Sequence, residues 1–130
     1  MGDTVSDSPV ALVVEDDDAV RNLAAAVLEE TDFDVIACES AEAAISVLER
    51  SGLTVALLFS DVRLSGPMDG VALAETVGRR WPQTRVVVTS GYDTGRNGRL
   101  PERAVFMQKP WRPIDVLVQA EHAALAARAA

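Results

Sequence analysis

Val55-Ala56-Leu57-Leu58-Phe59-Ser60-Asp61 is an apolar run that ends on a hydroxyl and a lone carboxylate, and its reading decides the fold. The same pattern recurs at Val10-Ala11-Leu12-Val13-Val14, which runs into Glu15-Asp16-Asp17-Asp18. It recurs again at Val86-Val87-Val88, before Thr89-Ser90-Gly91, and at Ala104-Val105-Phe106-Met107, before Gln108-Lys109-Pro110. Read as buried parallel strands, these runs bring their carboxyl ends to one edge of a sheet, where open α/β sheets place their sites. Three acids, a hydroxyl and a lysine would converge there. Such a pocket suits a divalent metal and a phosphoryl group.

Between the runs the periodicity turns helical. Val20, Leu23, Val27 and Leu28 follow Asp18, which is expected to cap the helix. Phe33 to Cys38 reads as a further strand. Ala41, Ala44, Ile45 and Leu48 form a face that starts after Ser40 and stops at Gly52, and Gly70, Leu73, Ala74 and Val77 repeat the spacing. That third helix is expected to close at Gly78 and Trp81-Pro82, because the residue before proline disfavours helix. Asp69-Gly70 reads as a turn and helix start. A last helix follows Pro113, with Ile114, Leu117, Val118, Glu121 and Leu125 on one stripe. Alternating strands and helices imply a doubly wound parallel α/β sheet with helices on both faces. One segment breaks the alternation: from Gly91 to Arg103 three glycines and a proline disfavour a fourth helix, so a loop or a single turn is expected.

At 130 residues the chain suits one domain, taken here as residues 10–128 behind a flexible leader at 1–9. The net charge of -8 argues against a nucleic-acid surface, since phosphate binding draws on Lys and Arg. Cys38 is the only cysteine, which excludes an internal disulfide and fits a reducing cytoplasm. No stretch approaches the roughly twenty apolar residues of a membrane span.

A hard cation such as Mg2+ takes oxygen ligands and is usually held by one or two protein carboxylates. Asp17 and Asp61 are expected to supply them, with Asp16 acting through a bound water and Glu15 left out as a solvated strand end. Asp61 stands alone at the end of its strand and is the candidate nucleophile, giving an acyl phosphate. Lys109 and Thr89 would offer a charge and a donor to the oxygens of the transferring group. His122, Trp81 and Trp111 are read as structural.

Together these residues resemble the receiver domain of bacterial response regulators, from Val10 to about Ala126. The motifs are Val13-Val14-Glu15-Asp16-Asp17, Asp61-Val62-Arg63-Leu64 with Met68-Asp69-Gly70, Val88-Thr89-Ser90-Gly91-Tyr92, and Phe106-Met107-Gln108-Lys109-Pro110. The resemblance implies a flavodoxin-like five-stranded sheet of order 2-1-3-4-5. It also implies phosphoryl transfer from a histidine kinase or histidine phosphotransfer protein onto Asp61, with Mg2+ held by Asp16, Asp17, Asp61 and the backbone carbonyl of Arg63. Thr89 and Lys109 would read the phosphorylated state and Phe106 would switch behind Thr89. The chain departs from the family pattern in three places. Leu64-Ser65-Gly66-Pro67 carries one residue more than the commonest loop, with Ser65 in place of a usual proline. Gly91 stands where many relatives carry a side chain, and the glycine-rich stretch replaces the fourth helix.

The leading expectation is a receiver that signals through protein contacts to a downstream partner the sequence does not name, catalysing at most its own phosphorylation and dephosphorylation. No DNA-binding or catalytic segment follows the last helix in this sequence. A close variant is a piece of a hybrid kinase that passes its phosphoryl group onward to a histidine. The alanine-rich last helix raises phosphorylation-dependent dimerisation. The alternatives are a degenerate receiver used as a scaffold and a small Mg2+-dependent phosphohydrolase; the latter lacks a carboxylate two residues after Asp61, where Arg63 stands.

Overall fold

The structure is a computed structural model, described for residues 8–50, 54–91 and 101–129. Apolar runs become strands: β1 Val10–Val14, β2 Asp34–Cys38, β3 Val55–Asp61, β4 Arg85–Ser90 and β5 Val105–Gln108. Among the described residues the helices are α1 Asp18–Leu28, α2 Ala41–Leu48, α3 Gly70–Arg80 and α4 Pro113–Ala129. All strand pairings are parallel, and the sheet order is β2-β1-β3-β4-β5 as expected. The segment expected to lack its helix falls mostly on residues 92–100 and the expected leader mostly on 1–7, both outside the described residues.

Side-chain alternation splits the core into two layers. Leu12, Val14, Leu58 and Val88 face α2 and α3, whereas Ala11, Val13, Phe59 and Val87 face α1 and α4. The β1–β3 register slips between Val10 and Ala11, so Ala56 and Leu57 both point to the α1 and α4 side. Beyond this bulge Val14 lies beside Ser60, which brings Glu15 and Asp61 out at the same edge. None of the helices is long and apolar enough to cross a membrane, among the described residues.

Three local expectations are corrected. The cap of α1 is Asp17, whose carboxylate accepts from the Val20 N–H at 3.0 Å, and Asp18 is the first helical residue. α3 runs through Gly78 to Arg80; a Cβ on Gly78 would come within 3.1 Å of the Pro101 ring, so that glycine makes room for a neighbour instead of ending the helix. On α4 the buried residues are Val116, Ala120 and Ala123, while Ile114, Val118 and Leu125 of the expected stripe are exposed. Small residues bring α4 close against α1 and β3, and the larger ones are left outside.

Candidate functional site

β1 delivers Glu15. Its main-chain N–H donates to the Cys38 carbonyl at 3.1 Å, continuing the β1–β2 ladder by one residue, and the residue is 5% exposed. Arg21 reaches back from α1 to donate to the Glu15 carbonyl at 2.9 Å and pairs with Asp18 at 2.6 Å, which holds the loop over the start of its own helix. β3 delivers Asp61, buried at its carboxyl end, with Oδ1 accepting from the Arg63 N–H at 3.2 Å. Gly70 opens α3 directly behind it. Its N–H donates to the Val62 carbonyl at 2.8 Å, and a Cβ there would overlap the Asp61 carbonyl oxygen and lie 2.7 Å from Val62 Cα. Only glycine lets α3 start this close to the strand.

The cation comes from the far edge of the sheet. Lys109 is tied to the end of β4 by its N–H on the Ser90 carbonyl at 2.8 Å, and the Lys109–Pro110 peptide is cis. Its ammonium lies 2.9 Å from Asp61 Oδ2 and 3.3 Å from Glu15 Oε1. Burial alone would lower the Lys109 pKa, but the hydrogen bond and charge of Asp61, with the charge of Glu15, outweigh it and hold the ammonium above its ordinary value. Burial pushes the Glu15 carboxyl above its ordinary range, and the Asp61 charge adds to that push. The Asp17 N–H, 3.2 Å from Glu15 Oε2, and Lys109 oppose it without cancelling it.

Glu15, Asp16 and Asp61 each bring one carboxylate oxygen to a common place, all within 4.8 Å of one another. Three carboxylates against one ammonium leave an excess of negative charge, and an all-oxygen donor set suits a hard divalent cation such as Mg2+. Of the expected acids Asp16 and Asp61 are therefore brought together. Asp17 is not, because its carboxylate is spent on the cap of α1, and Glu15 takes its place. The available signal was the three-residue spacing from Asp17 to Val20, which fits a capping residue and shifts the remaining acidic pair back by one.

Thr89 lies opposite Asp61 in the β3–β4 register, 1% exposed, and its carbonyl accepts from the Val62 N–H at 2.8 Å. Phe106 is half-buried on β5, in register with Val88 beside Thr89. Trp111 packs edge-on against Phe59 at 5.6 Å, beneath the site, and Trp81 lies under the Arg80 guanidinium at 4.3 Å, both structural as expected.

The description "Response regulator receiver domain" fits a family model that matches residues 11–119. A "Putative response regulator NtrX-like" protein of Rickettsia bellii is 30% identical over 84 residues, 64% of this chain and 17% of the relative. "Sensor kinase CckA" of Brucella abortus is 32% identical over 110 residues, 82% of this chain and 12% of the relative. This chain thus spans less than a fifth of either curated relative. Among solved structures, the receiver domain of NtrX from Brucella abortus superposes with a TM-score of 0.74 at 26% identity, covering 87% of this chain and 96% of that one. The parallel sheet, the acidic corner opposed by one lysine and the match over most of the sequence agree: this chain belongs to the response regulator receiver domain family, a module of two-component phosphorelay signalling.

Proposed function

We propose that residues 10–128 accept a phosphoryl group on Asp61 from a histidine kinase or histidine phosphotransfer protein. The observation that carries this reading is the pairing of a buried Asp61 with the Lys109 ammonium at 2.9 Å, beside two further carboxylates. A carboxylate oxygen of Asp61 forms a bond to phosphorus as the P–N bond of the donor's phosphohistidine breaks, and the electron pair of that bond returns to the imidazole. Glu15, Asp16, Asp61 and the backbone carbonyl of Arg63 are the groups to hold Mg2+, which when bound supplies positive charge to the phosphoryl oxygens. Lys109 holds a second positive charge beside Asp61, and Thr89 contributes a hydroxyl from the neighbouring strand end. Because negative charge accumulates on the peripheral oxygens, these fixed groups favour the transition state over the free donor. Thr89 and Phe106 then serve as the switch that reports the modification on β4 and β5.

In this reading the module works in the cytoplasm, without nucleic acid or membrane, and signals to a downstream protein rather than turning over a substrate. The scaffold and phosphohydrolase alternatives have no observation in their favour. Lys109 is aimed at Asp61 as phosphoryl chemistry requires, and Arg63 offers no acid to a leaving group. The test is intact mass after incubation with acetyl phosphate, with and without Mg2+. A single metal-dependent phosphoryl adduct that vanishes in Asp61→Asn is the expected result. If no adduct forms with acetyl phosphate or a phosphohistidine donor, and Mg2+ does not bind, the chain is a scaffold.

A further inference from the structure

We infer that the main-chain N–H of Ser65 positions the Asp16 carboxylate for the cation, an inference that rests on the metal reading above. Asp16 lies on the loop after β1 and is exposed, and an exposed aspartate ordinarily samples several rotamers that aim its oxygens differently. Here the Ser65 N–H donates to Asp16 Oδ2 at 3.0 Å, across 49 residues of sequence. The bond ties the loop after β1 to the loop after β3. It engages one oxygen and leaves the other for a cation.

The donor is itself held in place. Leu64, immediately before it, is 8% exposed and anchored in the core between the sheet and α2 and α3. Gly66, immediately after it, takes φ 101°, a turn that a side chain disfavours. The loop between Asp61 and Met68 therefore does more than bridge β3 and α3: it aims one amide at the acidic corner. A proline at position 65 has no N–H and makes no such bond. Ordering the carboxylate before the cation arrives removes part of the cost of binding, so loss of the donor weakens Mg2+ binding about three- to tenfold.

The experiment is calorimetric titration of Mg2+ into the wild type, Ser65→Pro and Ser65→Ala at fixed ionic strength. Ser65→Ala keeps the N–H and loses only the hydroxyl, so its affinity matches the wild type while that of Ser65→Pro falls. Should Ser65→Pro unfold, an amide-to-ester exchange at residue 65 in semisynthetic protein removes the same N–H without the ring and carries the same expectation. Equal affinity in the wild type and the N–H-deleted variant overturns the inference, as does a loss in Ser65→Ala as large as that in Ser65→Pro. A wild type that binds no Mg2+ at all overturns the metal reading and this inference with it.

Discussion

At the scale of single residues, the site is a contest between burial and charge, and Glu15 and Lys109 stand on opposite sides of it. Glu15 has its folded pKa raised above the ordinary 4.5, first by burial and then by Asp61. For such a group the associated stability is fully present below the unfolded value and is lost as pH rises through the folded value. In metal-free protein, the Glu15 contribution should therefore decline as pH climbs from about 4.5, and Glu15→Gln should remove that decline; urea unfolding of both proteins at stepped pH reads the difference. Lys109 obeys the same rule in the alkaline range: its contribution is fully present below the ordinary 10.5 and is lost as pH rises through its raised folded value. Removing the ammonium in Lys109→Met leaves Glu15 and Asp61 facing each other in a part-buried pocket, at a cost of roughly 1 to 3 kcal/mol. The same change removes a cation from beside the metal site. Mg2+ should bind Lys109→Met more tightly than wild type while phosphoryl uptake on Asp61 slows, a split that titration and intact-mass kinetics separate. Equal losses in both would show that Lys109 serves only to hold the fold.

At the scale of elements, helix starts and packing faces decide what each side chain is free to do. Asp17 spends its carboxylate on the Val20 N–H and Asp69 spends its own on the Ala72 N–H at 2.8 Å. Asp17→Ala should cost about 1 kcal/mol of stability, the usual value of a lost cap, yet leave Mg2+ binding nearly intact. Asp16→Ala should do the reverse. The strands were legible because a strand buried on both faces is a continuous apolar run, and β1 and β3 are buried at every position. Thr89 was legible because it follows such a run directly, and Asp61 and Lys109 because each stands one polar residue beyond an apolar run. Glu15 was not, because a glutamate beyond a strand resembles a solvated end until the lysine at the carboxyl end of β5 is seen to cover it. The α4 stripe misled because size was taken for burial: Val116, Ala120 and Ala123 lie inward because their small side chains allow close approach, and Ile114, Val118 and Leu125 remain exposed. Ile114→Ala should accordingly change stability by less than about 0.5 kcal/mol and Val116→Ala by about 2, which thermal or urea unfolding distinguishes.

At the scale of the whole molecule, the site exists because the sheet grows in two directions from β1. β2 lies on one side and β3 on the other, so the connections leaving β1 and β3 diverge to opposite faces and open a crevice at their carboxyl ends. Asp16 and Asp61 meet in that crevice although they stand 45 positions apart in the sequence. Folding alone brings Asp61 to Glu15 and Asp16; an unfolded chain offers the adjacent pair without the third acid and has little affinity for Mg2+. A cation bound there therefore stabilises the whole fold by RT ln(1 + [Mg2+]/Kd), about 2.7 kcal/mol at a hundredfold excess over Kd. Urea unfolding should move to a higher midpoint with added Mg2+ at constant ionic strength, with an unchanged slope, because the metal adds stability without altering the surface exposed on unfolding. Asp61→Asn should lose most of that gain, since it removes the acid contributed by β3, whereas Asp17→Ala should keep it. A shift reproduced in full by NaCl at matched ionic strength would instead mark general screening of the -8 net charge, with no specific cation at the crevice.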